Sequence, residues 1–81
     1  MTVILGIKLE NRLETATEFQ KIITHFGCAI HTRVGLHKSD EKSCNSYGII
    51  LLEIIDNKIA TELEKELLQI NNIETQRMIF N

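Results

Sequence analysis

The sequence predicts an α+β fold in two layers, four strands under two helices, and three observations carry that expectation. Four runs, 2–9, 28–37, 47–55 and 73–80, alternate side chains at strand spacing or are apolar throughout. Two other runs, 11–26 and 56–70, repeat their apolar residues every three or four positions, the period of a helix packed on one side. No linker, repeat or low-complexity segment divides the 81 residues, so a single domain over 1–81 is expected.

In the first run Val3, Leu5, Ile7 and Leu9 share one face, and Thr2, Ile4, Gly6 and Lys8 the other. The first face suits a core, while the second is still partly apolar. Asn11 with Glu14 has the spacing of a capping box, and Leu13, Ala16, Phe19 or Gln20, Ile23 and Phe26 then recur at helical spacing. A helix is expected there. Gly27 is placed to end it as the residue of positive φ.

The stretch from Cys28 to Ile55 reads as a hairpin. Its first strand sets Ile30, Thr32, Val34 and Leu36 against Ala29, His31, Arg33, Gly35 and His37, a half-buried pattern. Its second strand is apolar on both faces, with Gly48, Ile50, Leu52 and Ile54 on one and Tyr47, Ile49, Leu51 and Ile55 on the other, interrupted only by Glu53. Such a strand is covered on both sides. The connection KSDEKSCNS has no Gly or Pro, so a mobile loop is expected rather than a tight turn.

Asp56 or Asn57 can cap a second helix whose stripe is Ile59, Leu63, Leu67 and Ile70, with Glu62, Glu64, Lys65, Glu66 and Gln69 toward water. Asn71-Asn72 should end it, because Asn tolerates the left-handed conformation. The last run sets Ile73, Thr75, Arg77 and Ile79 against Glu74, Gln76, Met78 and Phe80, an ambiguous pattern that suits an edge strand.

Right-handed crossovers then put the first and third strands at the centre, giving an antiparallel sheet of order 4132. This is the ferredoxin-like βαββαβ sandwich, with both helices on one face. The helix-free face would expose Ile4, Ile49 and Leu51, a contiguous patch of the kind monomers avoid. A homo-oligomer, dimer or tetramer, with these three residues in its interface is the expected remedy. A chain of this length buries only about 60 to 65% of its surface on folding, which points the same way.

Charge and composition narrow the partners. Nine Lys and Arg against eleven Asp and Glu leave a formal charge of −2, with no basic excess for direct nucleic-acid binding. No apolar run reaches the roughly 18 residues of a membrane span, and residues 2–9 lack the features of a signal peptide. A cytoplasmic protein without membrane contact is expected. Cys28 and Cys44 are too few for an iron-sulfur cluster. With most of a strand between them, they lie beyond the roughly 7 Å that a disulfide spans between Cα atoms. Free thiols are expected, Cys28 packed as a small apolar residue and Cys44 in the loop.

Catalytic patterns are scarce. No Ser-His-Asp or Cys-His grouping, paired inward carboxylates, phosphate-binding glycine loop or HExxH occurs, so no catalytic residue is assigned. Acylphosphatases share the topology, but their glycine-rich loop after the first strand has no counterpart. Dimeric α/β-barrel enzymes also share it and use a strand histidine, which makes His31 the residue of an alternative, enzymatic reading. His25 suits the C-terminus of its helix. His31 and His37 share a strand face but stand about 20 Å apart, so one metal ion could join them only with residues of a second chain. Arg33 could hold an anion on the open sheet face, or pair there with a carboxylate such as Glu53. Gly35 and Gly48 could admit a ligand near the backbone or mark a bulge.

The segment HFGCAIHTRVGLH carries a resemblance. Phe26-Gly27 closing a helix, followed by Arg33-Val34-Gly35-Leu36 on a strand, resembles a small family described as regulators of the iron-only hydrogenase system. That family is similar in fold to ACT domains and to the C-terminal, nickel-binding domain of the NikR repressor. The likeness is sharpest over 26–36. It implies an ACT-like, non-enzymatic domain with a regulatory or sensory role, acting as an oligomer with a small-molecule or protein partner. The residues available to a ligand are His31, Arg33, Gly35 and His37. No resident cofactor is expected, and a transition metal at a subunit interface would draw on His31, His37 and Cys44. No counterpart of the repressor's ribbon-helix-helix segment is expected.

Overall fold

A computed structural model describes residues 1–10, 13–36 and 47–81, together with the backbone but not the side chains of Leu13 and Tyr47. The chain forms β1 (Thr2–Glu10), α1 (Leu13–His25), β2 (Ile30–Leu36), β3 (Tyr47–Ile54), α2 (Asn57–Leu67) and β4 (Glu74–Phe80), with a 3-10 turn at Gly27–Ala29. The sheet order is β2-β3-β1-β4 and every pairing is antiparallel, the 4132 order of a ferredoxin-like α+β fold. The expected cap at Asn11, the loop after β2, His37 and Cys44 lie outside the described residues.

Alternation in the central strands decides where the core sits. Val3, Leu5 and Ile7 of β1 are fully buried, and Leu52 and Ile54 of β3 lie beside them. The ladder pairs Leu5 with Leu52 and Val3 with Ile54, and directly opposed residues of an antiparallel pair point to the same side. Over this inner face lie Phe19 and Ile23 of α1, with Ile22 and Phe26 partly buried beside them. Phe19, Ile23 and Phe26 thus hold the expected stripe, Phe19 rather than Gln20 at its middle, while Ala16 is exposed. From α2 come Ala60, Leu63 and Leu67, and Ile70 follows in the turn beyond. Ala60 went unpredicted because a single methyl group adds little to an apolar pattern.

The start of α2 follows from its residues. Asp56 is extended, at φ −153° and ψ 165°, and its carboxylate accepts a hydrogen bond from the Ile59 backbone N–H at 2.7 Å. One of the orphan donors of the first turn is thereby satisfied. Asp56→Ala should cost about 1 kcal/mol, a drop in Tm of roughly 4 to 8 °C for a chain this short, whereas Asp56→Ser should retain most of the stability; differential scanning calorimetry of the pair tests the cap. At the other end the helix stops at Leu67, ahead of the Asn71-Asn72 pair expected to end it, with Leu68 as its C-cap; Asn72 takes φ 63° in the turn that follows. Asparagine is the non-glycine residue that enters this region most readily.

α1 ends differently from the expectation. No glycine among the described residues has positive φ, so Gly27 does not terminate the helix by a left-handed turn. Instead the chain tightens into the 3-10 turn, where the Ala29 N–H donates to the Phe26 carbonyl at 2.9 Å. This turn occupies the expected first residues of the strand and leaves Cys28 exposed on it as a free thiol rather than packed in the interior. The Ile55 N–H, donating to the Ala29 carbonyl at 3.0 Å, ties the turn to the end of β3.

Candidate functional site

A β-bulge decides which side chains the outer strand presents. Ile30 pairs with Ile54 and Thr32 with Glu53, so two steps along β2 answer one along β3, and His31 is the extra residue. Beyond the bulge every side chain sits on the face opposite to the one that continuous alternation from Ile30 would give. Arg33 falls opposite Leu52 on the helix side, and Val34 and Leu36 fall opposite Leu51 and Ile49 on the open side.

This placement corrects the expected role of Arg33. Its guanidinium lies 5.6 Å from the centroid of the Phe19 ring and donates to Gln20 Oε1 at 3.1 Å, so it fastens β2 to α1. It does not face the open side, and it does not pair with Glu53. Glu53 instead accepts a hydrogen bond from the Thr32 hydroxyl at 3.0 Å. Gly35, opposite Ile50, also turns to the helix side. The residues expected to serve one ligand, His31, Arg33 and Gly35, are therefore not assembled into one open-face site, and His37 lies outside the described residues. Gly48 is on the inner face of β3 opposite Leu9, where an added Cβ would meet nothing within 4 Å.

Of the expected metal-ligating residues, only His31 is described, and it is exposed at the bulge. Among the described residues no three His, Cys, Asp or Glu side chains come together as a metal site. A shallow depression does lie along the outer face of α1, lined by Ala16, Thr17, Gln20, Lys21 and Thr24, none of them an expected site residue.

What the fold does assemble is a surface. The ladders put Ile4 opposite Glu53 and Met78, Gly6 opposite Leu51 and Gln76, Lys8 opposite Ile49 and Glu74, and Thr2 opposite Phe80. With Val34 and Leu36 from β2, the helix-free face thus holds Ile4, Val34, Leu36, Ile49, Leu51, Met78 and Phe80. Val34, Leu36, Ile49, Met78 and Phe80 are each between 43 and 57% exposed, which is high for large apolar side chains. Leu51 leans across the middle of this face: a Cβ on Gly6 would meet its Cδ2 at 3.5 Å. Ile4, Ile49 and Leu51 stand where alternation puts them. Val34, Leu36, Met78 and Phe80 were not expected there, and for β2 the reason is the bulge, which alternation does not reveal.

A polar cluster occupies the far side of the sheet. Arg77 of β4 donates to Asn57 Oδ1 at 2.7 Å, to Thr61 Oγ1 at 3.0 Å and to Glu64 Oε1 at 2.9 Å, while the Thr75 hydroxyl donates to Glu64 Oε2 at 2.8 Å. Side-chain exposures of 19% for Arg77 and 23% for Glu64 make this a partly buried ion pair, so Glu64 does not simply face water as its helical position suggests. Every carboxylate oxygen of Glu64 has a partner, and the cluster reads as a clasp between α2 and β4.

No helix among the described residues is long and apolar enough to cross a membrane. No protein-family model matches the chain. No curated protein matches it either. Among solved structures, it is similar to the uncharacterized protein TM1266 from Thermotoga maritima, with 24% identity, a TM-score of 0.80 and coverage of 95% of this chain and 92% of that one. It is also similar to SnoaB, a cofactor-independent oxygenase from Streptomyces nogalater, in a mutant form at 10% identity and TM-score 0.57, covering 98% of this chain and 92% of that one. A second SnoaB structure gives 9% identity and TM-score 0.58, covering 99% and 93%. At these identities the likenesses establish the fold, a small ferredoxin-like α+β sandwich.

Proposed function

We propose that this chain is a regulatory or sensory ACT-like module that works in the cytoplasm as a homo-oligomer, assembled through the open face of its sheet. The observation that carries the proposal is the gathering of Ile4, Val34, Leu36, Ile49, Leu51, Met78 and Phe80 on a face that neither α1 nor α2 covers. Burying one such side chain is worth on the order of 1.5 to 3 kcal/mol. A second sheet packed face to face, about 10 Å away, buries them together. Four strands of this length present a face of roughly 19 by 23 Å, a footprint of about 440 Å², a little over half of the roughly 800 Å² per partner of a standard-size specific interface.

The regulatory part rests on the resemblance of residues 26–36 to the iron-only hydrogenase system regulators. A small molecule or partner protein would then be read through the assembly rather than through a pocket inside one subunit. A transition metal bound between subunits at His31, His37 and Cys44 is the metal form of the same reading.

A second reading is favoured by the fold likeness to a cofactor-independent oxygenase: an enzyme of the dimeric α/β-barrel kind using His31. Such an enzyme needs His31 inside a closed cavity. In the single chain it is exposed on an edge strand, which favours the regulatory reading.

Thermal-shift and calorimetric screening against amino acids, nucleotides, Ni²⁺ and Zn²⁺ tests the sensory role. A true ligand at a hundred times its Kd should stabilise the fold by about 2.7 kcal/mol and raise Tm by roughly 10 °C or more. No stabilisation by any member of the screen would leave only an interaction role.

A further inference from the structure

We infer that the outer edge of β4 is a strand-pairing surface, and that its partner is β4 of a second copy of this chain, joining two sheets edge to edge. The inference concerns a different surface from the open face and does not depend on it. An edge strand leaves a row of N–H and C=O groups unpaired, and chains usually blunt such edges with a bulge, a proline or a lysine. The two edges of this sheet are treated differently. β2 carries the bulge at His31, which breaks its register.

β4 carries none of these devices. It pairs with β1 in unbroken register from Thr2 with Phe80 to Lys8 with Glu74, and ETQRMIF contains neither Lys nor Pro. Its one cation, Arg77, is drawn over to α2 by Asn57, Thr61 and Glu64 and so does not guard the edge. The strand then ends in Met78, Ile79 and Phe80, all of them exposed. An unbroken edge of this kind is a template for pairing with another strand.

Charge and apolar continuity choose the register of a two-fold antiparallel pair. Centred on Arg77, the ladder would set two arginines face to face. Centred on Gln76, it would set Met78 against Glu74. Centred on Met78, it pairs Met78 with Met78, Arg77 with Ile79 and Gln76 with Phe80 of the second copy, with no like charges opposed. That register also makes the apolar open faces of the two copies continuous across the seam. A self-pair is thus matched in both charge and apolar pattern, as an isologous contact requires.

Ile79 separates this edge from the open face, because it lies opposite Val3 on the helix side of β4. Light scattering of the full chain should give Ile79→Lys half the wild-type mass, with unchanged far-UV circular dichroism. In a chain carrying Cys28→Ser and Cys44→Ser, Met78→Cys should form a disulfide-linked dimer under mild oxidation, whereas Gln76→Cys should not. If Ile79→Lys leaves the mass unchanged and Met78→Cys does not cross-link, the edge contact does not exist. If Leu51→Lys lowers the mass while Ile79→Lys leaves it unchanged, the edge is refuted and the open-face contact kept; the reverse pattern keeps the edge and refutes the open face.

Discussion

Leu52→Ala should lower the unfolding free energy by about 3 kcal/mol or more, within the roughly 2 to 5 kcal/mol range for core leucines. Leu52 is 0% exposed on the inner side of β3, between Leu5 of β1 and Arg33 of β2, beneath the helices. The three carbons removed leave a cavity bounded by backbone on two sides, which the sheet cannot close without breaking its ladders. Net stability for a domain is commonly only about 5 to 15 kcal/mol, so the variant loses a large fraction of it. Tm should fall by at least about 12 °C, at roughly 4 °C or more per kcal/mol. Urea unfolding by circular dichroism gives the midpoint; a shift worth less than about 1 kcal/mol would mean that Leu52 is not where the core is tightest.

Much of the fold was legible because the central strands carry an uninterrupted period. Val3, Leu5, Ile7 and Leu9 alternate without a break, and they are the buried face of β1. The apolar residues on both faces of β3 mark a strand covered on both sides, and crossover handedness sets it beside β1 and orders the rest. Local chemistry marked the start of α2 as well, since Asp56 acts through a side-chain bond that does not depend on the rest of the molecule, whereas the helix ends at Leu67, ahead of the Asn71-Asn72 pair expected to stop it. The end of α1 was not legible in this way. Gly27 permits a left-handed turn, but the 3-10 turn and the bond from Ile55 to Ala29 belong to the docking of β3, which is a tertiary matter.

The candidate site was legible only in part, and a single residue accounts for most of the difference. His31 is an ordinary member of an alternating run in the sequence, yet in the sheet it is the extra residue of a bulge. Everything after it changes face. Arg33 moves from an open surface to the ring of Phe19, and Val34 and Leu36 move from the core to the open side. The nearest signal in the sequence is that Arg33 stands between small or apolar neighbours that could serve either face, which is too weak to locate a bulge. The clasp at Glu64 was hidden for a related reason: a glutamate on a helix seems solvated until the edge strand that carries Arg77 is docked beside it.

Leu51→Lys should shift the assembly toward monomer at the open face while leaving the fold intact. Leu51 is the neighbour of Leu52, but it points to the helix-free side, where it leans over Gly6 between Val34 and the central strand. A lysine there can raise its ammonium into water in the isolated chain, so the cost of unfolding changes little. In a face-to-face pair the same ammonium sits in the apolar centre, and a two-fold contact places two of them there at once. Burying unpaired charge costs several kcal/mol per ion. Set against a contact whose central side chains contribute about 1.5 to 3 kcal/mol each, this is enough to weaken association by two orders of magnitude or more. Light scattering at tens of micromolar should therefore show a reduced mass, and urea unfolding should become independent of protein concentration wherever that contact alone held the copies together. Leu52→Ala, one residue away, should instead lower the midpoint at every concentration. A wild type that is monomeric under these conditions, or a Leu51→Lys variant of unchanged mass, would mean that the apolar side chains of this face are covered by something other than a second copy.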